Sequence, residues 1–161
     1  MTLQEIYDRY ADDLYAYACV LCRSEDEAAD ALQDCFVRLA LRPLRLDLSD
    51  LRGYLFVSLR NAAAGRRRRW AVWRARDKRG GVPALSPVDG DAGVAPDEAM
   101  RIERGLAALP PEQREVVFLK VWQGISFDAI GRLLGIPMNT AASRYRYALE
   151  ALRGILGRDG P

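Results

Sequence analysis

Apolar residues recur at three- and four-residue steps through most of this chain. Leu3, Ile6, Tyr7, Tyr10, Leu14, Tyr17 and Leu21 set the first such stripe and predict an amphipathic helix over 3–22. Ser24, with Glu27 three residues on, forms a capping box that opens a second helix. Its apolar face is Ala28, Ala31, Leu32, Cys35, Phe36 and Leu39, while Asp30, Gln33, Asp34 and Val37 fall to the side. Pro43 ends that helix, and a short loop, Arg42 to Ser49, follows. Ser49 or Asp50 can cap a third helix whose stripe runs through Leu51, Leu55, Leu59 and Ala62. From Gly80 to Pro96 the periodicity vanishes and seven of 17 residues are Gly or Pro, the composition of a flexible tether. Helical pattern returns at Asp97 with Ile102, Leu106 and Leu109. Pro110 and Pro111 then break the chain and start another helix, Glu112 to Gln123, closed by Gly124. No stretch alternates with period two for long enough to make a strand. The expected fold is all-α: two small helical domains, 1–79 and 97–161, joined by a flexible linker over 80–96.

The stretch SFDAIGRLLGIPMNTAASRYRYALEALR, from Ser126 to Arg153, reads as two helices joined by a tight turn. Ile130, Leu133 and Leu134 share a face of the first helix, and Gly135 stops it by accepting a positive φ. Ile136 anchors the turn and Pro137 fixes φ where the next helix begins. Gly131 stands where two closely crossing helices need a very small residue. The second helix carries Thr140, Ser143, Arg144 and Arg146 among alanines, with Leu149 and Leu152 directed toward a core. This is the spacing of a DNA-reading helix-turn-helix, whose second helix enters the major groove. An ordinary helical hairpin in an all-α core is the plain alternative.

Charge sharpens the picture, because the net charge of +2 hides an asymmetry. Residues 1–40 carry nine acids and three bases, residues 41–80 twelve bases and three acids. An acidic block beside a basic block suits two different partners, one of them nucleic acid. Eight bases between Arg66 and Arg79 face a single acid, Asp77, with Trp70 and Trp73 among them. Arginine with aromatics beside a polar Asn61 fits backbone gripping and base stacking on unpaired DNA. Four consecutive arginines cannot share one helical face, so part of the run points away from any single ligand. The N-terminus, TLQEIYDRY, is polar and acidic, and the longest apolar run, Leu14 to Cys22, is too short to span a bilayer. The expected location is therefore cytoplasmic, with reduced thiols at Cys19, Cys22 and Cys35, read as small buried side chains. Cys19 and Cys22 form a CxxC inside a helical pattern, and the chain has no histidine, so no metal site or cofactor is expected.

Taken together, the AADALQDCFVRL helix, the LRGYLFVSLRN helix and the C-terminal LPPEQREVVFLKVWQGISFDAIGRLLGI segment resemble the bacterial sigma-70 family. The short length points to its extracytoplasmic-function group, which keeps only regions two and four. The resemblance covers residues 5–79 and 97–156. It implies a transcription initiation factor that binds core RNA polymerase, directs it to specific promoters and helps melt the −10 element. Asp30, Gln33 and Asp34, with Phe36 behind them, match the helix that docks on the clamp helices of the polymerase's largest subunit. The Arg42–Ser49 loop, Tyr54 and Asn61, with Arg60 alongside, match the part that captures a flipped −10 base. Arg66, Arg67, Arg68 and Arg69 match the helix that grips the opening duplex, and Thr140, Ser143, Arg144 and Arg146 the reading face for the −35 element. The implied partners are core RNA polymerase, promoter DNA and an anti-sigma factor, with no small-molecule substrate and no membrane insertion. The chain departs from the family pattern at Ala29, Tyr54, Gly65, Asn139, Ala142 and Tyr147.

Three other readings compete. A free-standing helix-turn-helix regulator explains the C-terminal half but leaves the acidic helix and the arginine–tryptophan segment without a purpose. A sigma-like decoy for an anti-sigma protein has no need of the basic segment or a polar recognition helix. An enzyme needs a reactive constellation, and neither a nucleotide-binding glycine loop nor a paired acid cluster suited to catalysis is present. The tether makes a direct prediction: limited proteolysis cuts first between Gly80 and Pro96 and leaves two folded helical fragments. Primary cleavage inside either helical domain, with 80–96 protected, would contradict it.

Overall fold

The computed structural model describes residues 2–42, 51–76 and 96–158. Every regular element among them is helical: α1 (Leu3–Leu21), α2 (Glu25–Leu41), α3 (Leu51–Arg76), α4 (Pro96–Ala108), α5 (Pro111–Val117), α6 (Phe127–Leu134) and α7 (Met138–Arg158), with a π-helical segment, Phe118–Trp122, continuing α5. The chain divides into two compact units, 1–86 and 87–161. The division falls within the expected linker, of which residues 80–95 lie outside the described residues, as do residues 43–50 with the expected loop and the Ser49 or Asp50 cap.

In the first unit each of α1, α2 and α3 packs on both of the others. Thr2 caps α1 through a reciprocal box with Glu5: the Thr2 hydroxyl accepts from the Glu5 amide and the Glu5 carboxylate from the Thr2 amide. At α2 the Ser24 hydroxyl accepts from the Glu27 amide, and the Glu27 carboxylate accepts from the Arg23 amide, one residue earlier than a closed box requires. The core is Ile6, Leu14 and Tyr17 from α1, Ala28, Ala31, Cys35 and Leu39 from α2, and Leu51, Leu55, Phe56 and Leu59 from α3. Each large side chain among these contributes about 1.5–3 kcal/mol on leaving water. Tyr17 and Phe56 lie with ring centroids 5.2 Å apart. Burial pushes the Cys35 thiol up to about 11, so it stays protonated, with its Sγ 3.9 Å from the Leu55 carbonyl oxygen. Cys22 is buried as expected, whereas Cys19 is only half-buried.

In the second unit α7 packs against α4, α5 and α6. Leu109, just past the end of α4, joins Val117 and Ala148 in the core, with Leu106, Tyr145 and Leu152 packed around them. Arg114 closes α4: its guanidinium donates to the carbonyls of Leu106 (2.9 Å), Ala107 (2.9 Å) and Leu109 (3.0 Å), and the Leu106 carbonyl also accepts from the Leu109 amide. The one regular helix expected over Glu112–Gln123 differs in its second half, where the π-helical segment begins at Phe118. There the Gln123 amide donates to the Phe118 carbonyl five residues back, and Phe118 and Leu119 both turn inward. Apolar periodicity registers a buried face but not the local ring size of the hydrogen bonds, so this widening was not legible.

The turn between α6 and α7 depends on two glycines. Gly135 has φ 69°, the left-handed cap that ends α6. Gly131 is buried, and a Cβ built there would lie 2.7 Å from the Ile136 carbonyl oxygen and 3.3 Å from the Met138 amide nitrogen. Gly131→Ala therefore sets a helix-propensity gain of about 1 kcal/mol against an overpacking cost of about 1–3 kcal/mol. Backbone is the obstacle, so the cost wins. Gly154→Ala, on an exposed stretch of α7 with nothing within 4 Å, keeps the gain alone. Calorimetry of the whole chain should show the second unit melting earlier in Gly131→Ala and no earlier in Gly154→Ala; the reverse order would refute the close approach.

Candidate nucleic-acid interfaces

The site residues follow from which face of each helix is taken by the core. At about 100° per residue, the buried stripe of α3 through Leu55, Leu59 and Ala62 leaves one opposite stripe for solvent. Gly53, Val57, Asn61 and Arg68 are exposed along α3, with Tyr54 half-buried beside them. Tyr54, Asn61 and Arg68 recur at seven-residue steps and so share one face. Arg60 is half-buried on the flank. Arg66 belongs to the other side, because its position falls nearly in line with Leu59 and faces α2. The side chains of Arg67, Arg69, Trp70 and Trp73 lie outside the described residues.

On α2, Asp30 and Asp34 are one helical turn apart, and Arg66 reaches both. Its Nε donates to Asp34 Oδ2 at 2.9 Å, Nη2 lies 2.8 Å from the same oxygen, and Nη1 donates to Asp30 Oδ2 at 3.3 Å. The side chains are 29% (Arg66), 31% (Asp34) and 53% (Asp30) exposed, so water still screens the cluster. The structure thus joins two sets that the sequence had separated: the acids matched to polymerase docking and the first arginine of the DNA-gripping run. Gln33 is exposed and lines an open groove of about 680 Å³ between α1 and α2, along with Leu3, Tyr7, Leu32, Phe36 and Val37. Phe36 packs edge-on against Tyr7 at 5.0 Å. Val37 and Leu41 extend the acidic stripe with exposed apolar surface, 51% and 78% accessible. Leu41 lies on the same stripe as Asp30, Asp34 and Val37, so its place in the helical repeat turns it outward.

On α7 the core takes Ala141, Tyr145, Ala148 and Leu152, four positions on one stripe. The outward stripe opposite them is Asn139, Ser143, Arg146 and Glu150, with Tyr147 beside it. Asn139, Arg146, Tyr147 and Glu150 are exposed, while Ser143 and Thr140 are half-buried. The Arg146 guanidinium rests over the Tyr147 ring, 5.3 Å from its centroid. Arg144 stands on the flank, roughly 60° from the core direction by helix geometry, with Nη2 3.9 Å from Glu112 Oε2 of α5. The four residues expected on one reading face are therefore divided: Ser143 and Arg146 point outward, and Thr140 and Arg144 border the packed side. Asn139 and Tyr147, which the sequence pattern did not place on the reading face, are also exposed, as the spacing of the buried Ala141 and Ala148 requires.

Among the described residues no helix is long and apolar enough to cross a membrane. The family models for sigma-70 region 2 and sigma-70 region 4 match residues 6–74 and 99–152. The ECF RNA polymerase sigma factor SigL of Mycobacterium tuberculosis is 30% identical over 155 residues, covering 94% of this chain and 86% of that protein. SigE of Mycolicibacterium smegmatis, also an ECF RNA polymerase sigma factor, is 27% identical over 96% of this chain, which spans 61% of SigE's length. The fold is similar to that of the sigma factor RpoE of Bartonella quintana, solved in complex with the anti-sigma factor NepR, with a TM-score of 0.79, 20% identity and 98% of both chains covered. With a region 2 on the three-helix unit, a region 4 on the helix-turn-helix unit and relatives aligned along nearly the whole sequence, the chain belongs to the sigma-70 family, in its group of ECF RNA polymerase sigma factors.

Proposed function

We propose that this sigma factor binds core RNA polymerase, directs it to specific promoters and helps melt the −10 element, acting by binding and without a reaction of its own. The observation that carries the residue-level reading is the stripe of Tyr54, Asn61 and Arg68 at seven-residue steps on α3, standing on the same small unit as the acidic stripe of α2. In this reading Asp30, Gln33 and Asp34, with Val37 and Leu41 as apolar contacts, meet a basic and partly apolar polymerase surface. Asn61 offers both an acceptor and donors to the edge of an unstacked base, and Arg68 holds the adjoining backbone. On the second unit Ser143, Arg146 and Asn139 face the −35 element, with Arg144 on the flank of the same helix. The solved RpoE, bound to its anti-sigma factor NepR, supports an anti-sigma protein as a third partner. Its place of work is the cytoplasm, where polymerase and promoter DNA meet.

The test for the first unit is strand opening. Unstacking a base costs a few kcal/mol unless a pocket receives it. Asn61→Ala should keep polymerase binding and duplex docking but lose permanganate-reactive thymines, and a pre-melted bubble template should restore part of the transcription. If the variant opens linear promoter as well as the unaltered protein, Asn61 is structural.

The two arginines of α7 separate in a second measurement. If Arg146 pairs a guanine through two hydrogen bonds, Arg146→Ala costs about 1–3 kcal/mol at one base pair of the −35 element. Arg144→Ala, removing a flanking cation, weakens all sequences evenly and flattens the salt dependence by about one unit. Binding to a panel of single-base −35 variants distinguishes them, and a footprint unchanged by the double substitution would take α7 off the DNA.

A further inference from the structure

Arg66, the first arginine of the Arg66–Arg69 run, contacts two protein acids: Asp34 at 2.8 and 2.9 Å and Asp30 at 3.3 Å. Arg68, two residues on and about 200° around the helix, is exposed. One guanidinium shared by two carboxylates leaves the cluster with a net negative charge, still open to a basic partner. The cluster is also partly exposed, so water screens it and the ion pairs hold only weakly. A cation held in this way is available for exchange. We infer that Arg66 is a positioning residue that switches partners: it is held by Asp30 and Asp34 in the free protein, and released to the DNA backbone when a basic polymerase surface takes those acids.

The exchange rests on the proposed reading of α2 as the polymerase face and α3 as a DNA face. It gives the free protein one phosphate contact fewer than the holoenzyme, through a chemical group common to both surfaces. Two alternatives are distinct from it. Arg66 could be a plain structural brace between α2 and α3, or it could already lie on DNA in the free protein.

The experiment uses the full chain and a fluorescein-labelled single-stranded oligothymidylate, with binding followed by anisotropy through a salt titration. Each phosphate contact on a single strand contributes about 0.7 to the log–log salt slope. In the otherwise unaltered protein, Arg68→Gln should flatten the slope by about that amount and Arg66→Gln should leave it as it was. In the Asp30→Asn, Asp34→Asn background the slope should steepen by about 0.7, and adding Arg66→Gln should remove the gain. Arg66→Lys keeps the charge but loses the fork that spans two acids, so it should steepen the slope with both acids intact. Circular dichroism confirms that each variant remains helical, and Arg66→Lys decides the matter alone should Arg66→Gln fail to fold. An Arg66→Gln effect equal to that of Arg68→Gln in the unaltered protein would place Arg66 on DNA from the start and overturn the exchange. No effect of Arg66→Gln in the acid-neutralised background, or none of Arg66→Lys, would make it a brace. A slope unmoved by Arg68→Gln as well would take α3 off single-stranded DNA, overturning the proposed function of that helix and the exchange with it.

Discussion

The helical repeat of α3, which gives the helix one buried stripe and one exposed stripe, is the constraint on which the first unit depends. Leu51, Leu55, Leu59 and Ala62 must stay on one stripe to seal the core against α1 and α2. Every other position on α3 is then assigned a direction. Asn61 and Arg68 are sent outward, and Arg66 is sent toward α2. The consecutive arginines are thus not a uniform basic patch. At least two of them, Arg66 and Arg68, face different surroundings because they stand about 200° apart around one helix.

The acid–arginine cluster shows why charge counts need geometry. The first forty residues are strongly acidic and the next forty strongly basic, which suggests two separate partner surfaces. In the folded unit the two blocks meet at Asp30, Asp34 and Arg66. Because the meeting point is half-open to water, the pairs add little to stability. Holding α2 to α3 is the task of buried Cys35, Leu39, Leu55 and Leu59 instead.

The second unit is organised by close backbone approach. Gly131 lets α6 come within contact of the Ile136–Met138 backbone, and Gly135 turns the chain with a left-handed φ. These two positions fix where α7 leaves the turn, and the burial of Ala141, Tyr145 and Ala148 fixes its rotation. The outward face of Asn139, Ser143 and Arg146 is a consequence of that rotation. The Arg114 guanidinium, ringed by three carbonyls at the end of α4, ties the preceding helix into the same frame.

Helix identity, the helix-turn-helix and its two critical glycines were all legible in the sequence, because local periodicity and a positive-φ requirement act within a few residues. The capping serine before α2 was legible for the same reason, as was the core-facing stripe of α3. The family resemblance added roles to Asp30, Gln33, Asp34 and Asn61 that no local pattern carries. Tertiary structure alone decided the rest. It put Arg66 on the acids of another helix, more than thirty residues away in sequence, brought Arg144 to the edge of α5, and widened the helix after Val117 into π turns. The physical reason is common to all three. A side chain's direction around its own helix is a local property, but what it meets there depends on how the neighbouring helix packs.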